Sequence, residues 1–134
     1  MSEEESLEDI RRKKREELRE RQTDNGAATP AEPVHVDGAA ELNDAIQRYN
    51  VVLADFYADW CGPCQMIEPV VAELASDTDA AVVKVDVDAN QPVAAEYGVQ
   101  GVPTLVLFAD GTQVDRFVGM QDRSRLRTAI ESHS

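Results

Sequence analysis

Seven consecutive residues constrain this chain more than any other stretch: Val51-Val52-Leu53-Ala54-Asp55-Phe56-Tyr57 is apolar on both faces apart from Asp55. A strand with one wet face alternates apolar and polar residues. An unbroken apolar run of this length describes a central strand covered on both sides. The flanking sequence supplies the cover. Asp37 can cap a helix over Gly38 to Tyr49, with Leu42, Ile46 and Tyr49 on one stripe. Beyond the run, Met66, Ile67, Val70, Val71 and Leu74 recur at helical spacing, and Pro69 among them predicts a kink because it removes a backbone donor.

The remaining pattern continues the alternation. Ala81 to Val87 is a valine-rich strand and Gln91 to Tyr97 a short helix. Thr104 to Ala109 and Thr112 to Val118 are strands joined at Asp110-Gly111, a strong hairpin signal. Asp122 starts a closing helix that buries Leu126, Ala129 and Ile130. The expected order is β-α-β-α-β-α-β-β-α. This is an α/β fold whose mixed central sheet has parallel crossovers, a C-terminal antiparallel hairpin and helices on both faces.

Residues 34–134 read as this domain, and residues 1–33 as an extension. Ser2 to Gln22 is a charge-dense helical candidate with a capping-box spacing at Ser2 and Glu5. Its only apolar residues, Leu7, Ile10 and Leu18, are too few to bury a face. It is expected to be a solvated tail, with an arm that docks a partner as the functional alternative. Thr23 to Pro33 is turn-forming and linker-like. Met1 to Glu20 is charged throughout and holds no apolar core of a secretory signal, which predicts a cytoplasmic protein. No run of apolar residues is long enough for a membrane span.

The formal net charge is −13, and most of the excess falls after Val34, where the only cations are Arg48, Lys84, Arg116, Arg123, Arg125 and Arg127. So acidic a domain repels phosphate backbones and anionic membranes, so neither is an expected partner. Lysine is confined to Lys13, Lys14 and Lys84. Acid-rich, lysine-poor composition resembles the proteins of salt-loving archaea, in which molar salt screens self-repulsion over ~3 Å. A merely acidic protein kept soluble by its charge is the plainer alternative.

Cys61 and Cys64 are the only cysteines. A structural zinc site needs about four ligands, and neither His35 nor His133 has ligand spacing to them. A disulfide between such near neighbours closes too small a loop to restrain the unfolded chain. Redox chemistry remains. Exchange requires a thiolate, because a neutral thiol is a poor nucleophile. Cys61 would begin a helix, where unpaired N–H groups and the dipole favour negative charge. Cys64 lies one turn along, within reach. Cys61 would attack a target disulfide and Cys64 would then resolve the mixed disulfide. Gly62 is expected to permit the tight turn and Pro63 to stiffen it where no donor is needed. No cofactor and no metal is called for.

Trp60-Cys61-Gly62-Pro63-Cys64 at a strand-to-helix junction resembles the thioredoxin signature. The resemblance spans roughly Val34 to Ile130. It implies a protein-disulfide reductase, a monomer acting on disulfide-containing target proteins and recharged by a thioredoxin reductase. A carboxylate amid apolar neighbours is costly and its pKa should rise; the resemblance makes Asp55 the proton acceptor for the resolving cysteine, against a satisfied core polar group. It makes Lys84 the charge partner of Asp55, against an edge charge facing water. Gly101-Val102-Pro103-Thr104 resembles the family's cis-proline loop. Trp60, Gly62, Pro63, Val102, Pro103 and Gly119 are then the substrate-binding residues, with Trp60 exposed beside the thiol rather than in the core.

Two positions depart from the commonest pattern. Tyr57 stands where tryptophan is frequent, and Gln65 where lysine is. Losing that lysine removes a cation near the thiolate without touching the required chemistry. Two alternatives to a reductase are the same fold run as an oxidase or isomerase, and a redox-regulated binding module acting through the N-terminal arm.

Overall fold

The computed structural model describes residues 29–134. The helix expected over Ser2 to Gln22 and the linker as far as residue 28 lie outside the described residues. In chain order the elements are β1 (Val34–His35), α1 (Gly38–Arg48), β2 (Val51–Tyr57), α2 (Gly62–Asp77), β3 (Ala81–Asp86), α3 (Gln91–Glu96), β4 (Thr104–Ala109), β5 (Thr112–Val118) and α4 (Arg123–Ser132). The expected order is the observed one. Its first strand is only two residues long and exposed, so no periodicity marks it.

The apolar run takes the centre of the sheet, whose strand order is β1-β3-β2-β4-β5. β2 pairs parallel to β3 and antiparallel to β4, and β4 pairs antiparallel to β5. The architecture is the mixed sheet that the pattern implies. At the hairpin, Asp110 and Gly111 both take positive φ, 51° and 83°. That pair of left-handed residues gives the turn whose twist matches its strands. A register shift between Leu107 and Phe108 leaves Val114 exposed.

Alternation along β2 divides the core. Val52, Ala54 and Phe56 pack with Leu42 and Ile46 of α1 and Val93 of α3. Val51 and Leu53 pack with Ile67, Val71 and Leu74 of α2 and Leu126 and Ile130 of α4. Each such valine, leucine, isoleucine or phenylalanine side chain contributes about 1.5–3 kcal/mol on leaving water. The same alternation puts Asp55 on the second face, under the helix that begins at the cysteines.

Local details differ from the sequence reading. Asp37 occupies the N-cap of α1 without a side-chain cap bond. The Gly38 amide instead donates to Asn90 Oδ1 at 2.7 Å, a cap supplied across the fold from the loop before α3. Asp122 likewise precedes α4 without capping it through its side chain. Met66 does not join the buried stripe of α2; it is 68% exposed. Pro69 sits inside α2, which runs from Gly62 to Asp77. Among the described residues, no helix is long and apolar enough to cross a membrane.

Candidate active site

Cys61 is the N-cap of α2, with extended backbone at φ −91°, ψ 111°. Its sulfur accepts the Cys64 amide at 3.1 Å, as a serine hydroxyl would cap an ordinary helix. Its carbonyl accepts the Gln65 amide at 3.2 Å. The sulfur is therefore held where the unpaired donors of the first turn converge, and negative charge is favoured there. Cys61 and Cys64 form a disulfide, with Cα atoms 5.2 Å apart. In this oxidised state both residues are buried.

Gly62 and Pro63 are the first two residues of α2. Pro63 falls where no amide donor is needed, as expected. Gly62 does not serve as a turn glycine: its φ is not positive, and a Cβ built on it would meet nothing within 4 Å. Any residue could adopt that backbone. The missing side chain leaves open space beside Cys61.

The loop before β4 lies against the disulfide. The Val102–Pro103 bond is cis. The Val102 carbonyl oxygen is 3.7 Å from Cys61 Sγ, and Val102 packs with Ala58 and both cysteines. Thr104 Oγ1 donates to the Gly101 carbonyl at 2.5 Å, and the Gly119 amide donates to the Pro103 carbonyl at 2.8 Å. Gly119 has φ +83°, where a side chain would be strained despite open space around it. Trp60 is 72% exposed, and its indole N–H donates to Asp88 at 2.8 Å. Trp60, Gly62, Val102, Pro103 and Gly119 thus lie on loops or helix ends around the cysteines. Arg116 of β5 steadies the approach to this loop, its guanidinium donating to the Tyr97 and Gly98 carbonyls at 2.5 and 2.7 Å.

Beneath the site, Asp55 is fully buried, and neither carboxyl oxygen has a hydrogen-bond partner among the described residues. Lys84 is its register partner on β3, with Nζ 4.0 Å from Asp55 Oδ2. Desolvation pushes the Asp55 carboxyl up from 3.8 to about 6, and the Lys84 charge offsets part of that rise. Burial also lowers the Lys84 pKa, with Asp55 and Asp59 pulling it back. Lys84 is buried rather than an edge charge. Its ammonium lies 4.2 Å from the Tyr57 ring centroid and makes an ion pair with Glu68 of α2. Glu68 was not singled out by the sequence. It lies one turn after Cys64 on α2, but nothing in that spacing says that a strand lysine meets it.

A sulfur pair at the N-terminus of a helix, on a mixed sheet, above a buried carboxyl, defines a thiol–disulfide oxidoreductase. A thioredoxin family model matches residues 33–132. The thioredoxin of Staphylococcus saprophyticus is 48% identical over 96 residues, which are 70% of this chain and 91% of that protein. Among solved structures, a mutant thioredoxin from Halobacterium salinarum has a TM-score of 0.77 at 63% identity, covering 79% of this chain and 94% of that one. The thioredoxin of Fasciola hepatica has a TM-score of 0.69 at 39% identity, covering 75% and 99%. The chain belongs to the thioredoxin family. It is a protein-disulfide reductase that works by dithiol–disulfide exchange at Cys61 and Cys64.

Proposed function

We propose that Cys61 is the attacking thiolate and Cys64 the resolving thiol. The observation that carries this assignment is the Cys64 amide donating to Cys61 Sγ at the N-cap, which favours charge on Cys61. In the reduced protein, Cys61 attacks one sulfur of a target disulfide. A Cys61–target bond forms, and the other target sulfur leaves as a thiolate that takes a proton from water. Cys64 then gives its proton to Asp55 and attacks Cys61 Sγ. The Cys61–Cys64 bond forms and the target's second sulfur departs. Two electrons have passed to the target.

In this reading Lys84 is the charge partner of Asp55. Trp60, Gly62, Pro63, Val102, Pro103 and Gly119 receive an extended segment of the target, with Trp60 supplying apolar area. Residues 34–134 carry the activity as a monomer, and a thioredoxin reductase returns the electrons. A disulfide reductant must be kept reduced, which suits the cytoplasm. Scarce lysine and the likeness to a Halobacterium salinarum thioredoxin support a protein adapted to concentrated salt.

Cys64→Ser tests the assignment. Incubated with a disulfide-containing protein, it should accumulate a mixed disulfide on Cys61. Accumulation on the Cys64 sulfur in Cys61→Ser instead would reverse the roles.

A further inference from the structure

Lys84 has one ammonium and two carboxylates to serve. Asp55 is buried, stands 4.0 Å away and is not hydrogen-bonded to it, whereas Glu68 is in direct contact. The Glu68 side chain is 53% exposed, so its charge stays solvated. Pro33, His35, Glu68 and Lys84 line an open cleft at this end of the sheet. We infer that Glu68 is a positioning residue for the buried carboxyl: it holds the Lys84 ammonium at the solvent end of the site, away from Asp55. The inference deepens the reading of Asp55 as a proton acceptor and rests on it for its bearing on turnover.

Asp55 and Glu68 compete for one ammonium. An ammonium within ~4–6 Å already favours the ionised carboxylate, and the attraction grows as the separation shrinks, so direct hydrogen-bonded contact would lower the Asp55 pKa further. Asp55 would then be a weak base, of little use for removing a thiol proton near neutrality. Moving the ammonium to a second carboxylate leaves Asp55 near enough to a positive charge to ionise, yet basic. This agrees with its elevated pKa, to which burial contributes more than Lys84 removes.

The other groups around Lys84 do not replace Glu68. On β2, the Tyr57 ring faces the ammonium, and its hydroxyl is engaged with His35 of β1 at 3.2 Å. Asp59, in the loop after β2, attracts Lys84 through space. Glu32 lines the same cleft, and Asp86 acts on Tyr57. Leu105, the β4 neighbour of Asp55, carries no charge. Among the described residues, the ion pairs of Lys84 are those with Asp55 and Glu68.

The test reads the Asp55 carboxyl directly, by carbon NMR titration of the oxidised protein, so no cysteine titrates and no turnover is needed. Glu68→Gln should lower the Asp55 midpoint by about one pH unit, as the freed ammonium settles on Asp55. In a Lys84→Met background the same change should leave the midpoint where Lys84→Met alone puts it. An unchanged midpoint in Glu68→Gln, or an equal fall in both backgrounds, overturns the inference. Should Lys84→Met not fold, the crystal structure of Glu68→Gln decides: the Lys84–Asp55 separation should close to hydrogen-bond distance, and persistence of the present gap refutes the claim. These results stand whether or not Asp55 takes a proton during exchange, which is decided separately by turnover of Asp55→Asn.

Discussion

Asp55 and Lys84 are register partners on neighbouring central strands, yet their charged groups stand 4.0 Å apart with no hydrogen bond between them. Both are buried, so each has lost its hydration. An ion pair this loose does not recover the desolvation cost of its members. The fold therefore carries a buried carboxyl with a raised pKa, at a cost in stability, on the face of the sheet that α2 covers.

Asp55→Asn is expected to stabilise the oxidised protein by ~1–3 kcal/mol at pH 7. Glu68 still holds Lys84 in this variant, so no charge is stranded. The folded-state pKa of Asp55 is raised, from 3.8 to about 6, so its protonated form favours the fold. Stability of the natural protein should fall as pH rises through that window, and the advantage of the variant should grow across it. Denaturant titrations at several pH values measure both. A less stable variant would make Asp55 a structural residue.

Turnover should move the other way. Asp55 accepts a proton only when ionised, so resolution of the mixed disulfide should accelerate as pH rises through about 6. In Asp55→Asn that limb should shift up to the range of an ordinary thiol, about 8.5. At pH 7 the variant should be about 10- to 100-fold slower. Stopped-flow release of a reduced target reports the step. An unchanged pH profile would remove Asp55 from the mechanism.

Much of this arrangement was legible in the sequence because it is local. Thr104–Ala109 and Thr112–Val118 have the expected bounds, since a left-handed Asp-Gly turn fixes where the two strands meet. Cys61 and Asp55 were legible for a related reason: the helix start and the lone carboxylate are marked by immediate neighbours. What escaped was set across the fold. Glu68 reaches Lys84 from another element, and Asn90 caps α1 from 52 residues away. Met66 shares the helical spacing of the apolar stripe yet is exposed, because spacing alone does not say which flank of the stripe faces water. Gly62 escapes a sequence reading for the same reason, since its place at the start of α2 sets its backbone.

Salt should stabilise the fold. With a formal charge of −13 and few cations after Val34, self-repulsion is strong in dilute buffer. At ~1 M salt the screening length falls to ~3 Å, and that repulsion is largely removed. The melting temperature should climb by ten degrees or more, on the order of a few kcal/mol for a domain of this size, between ~0.1 M and ~2 M potassium chloride. A flat response would favour the plainer reading of an acidic protein kept soluble by its charge.

Removing residues 1–28 should leave disulfide reductase activity and melting temperature nearly unchanged. The cut spares the segment that lines the cleft beside Lys84. A drop of several degrees by calorimetry would mean that the extension contributes to the stability of the domain.

A chain that donates electrons to protein disulfides must hold a low redox potential, and the equilibrium potential of the Cys61–Cys64 couple reads it. Titration against glutathione or dithiothreitol buffers, read by alkylation of the reduced cysteines, gives the value. A reductant of this kind should lie near about −270 mV, well below a poise at which target disulfides accept electrons. A potential near about −120 mV, where the reduced form is so favoured that the pair oxidises its targets, would contradict the account and make the protein an oxidase.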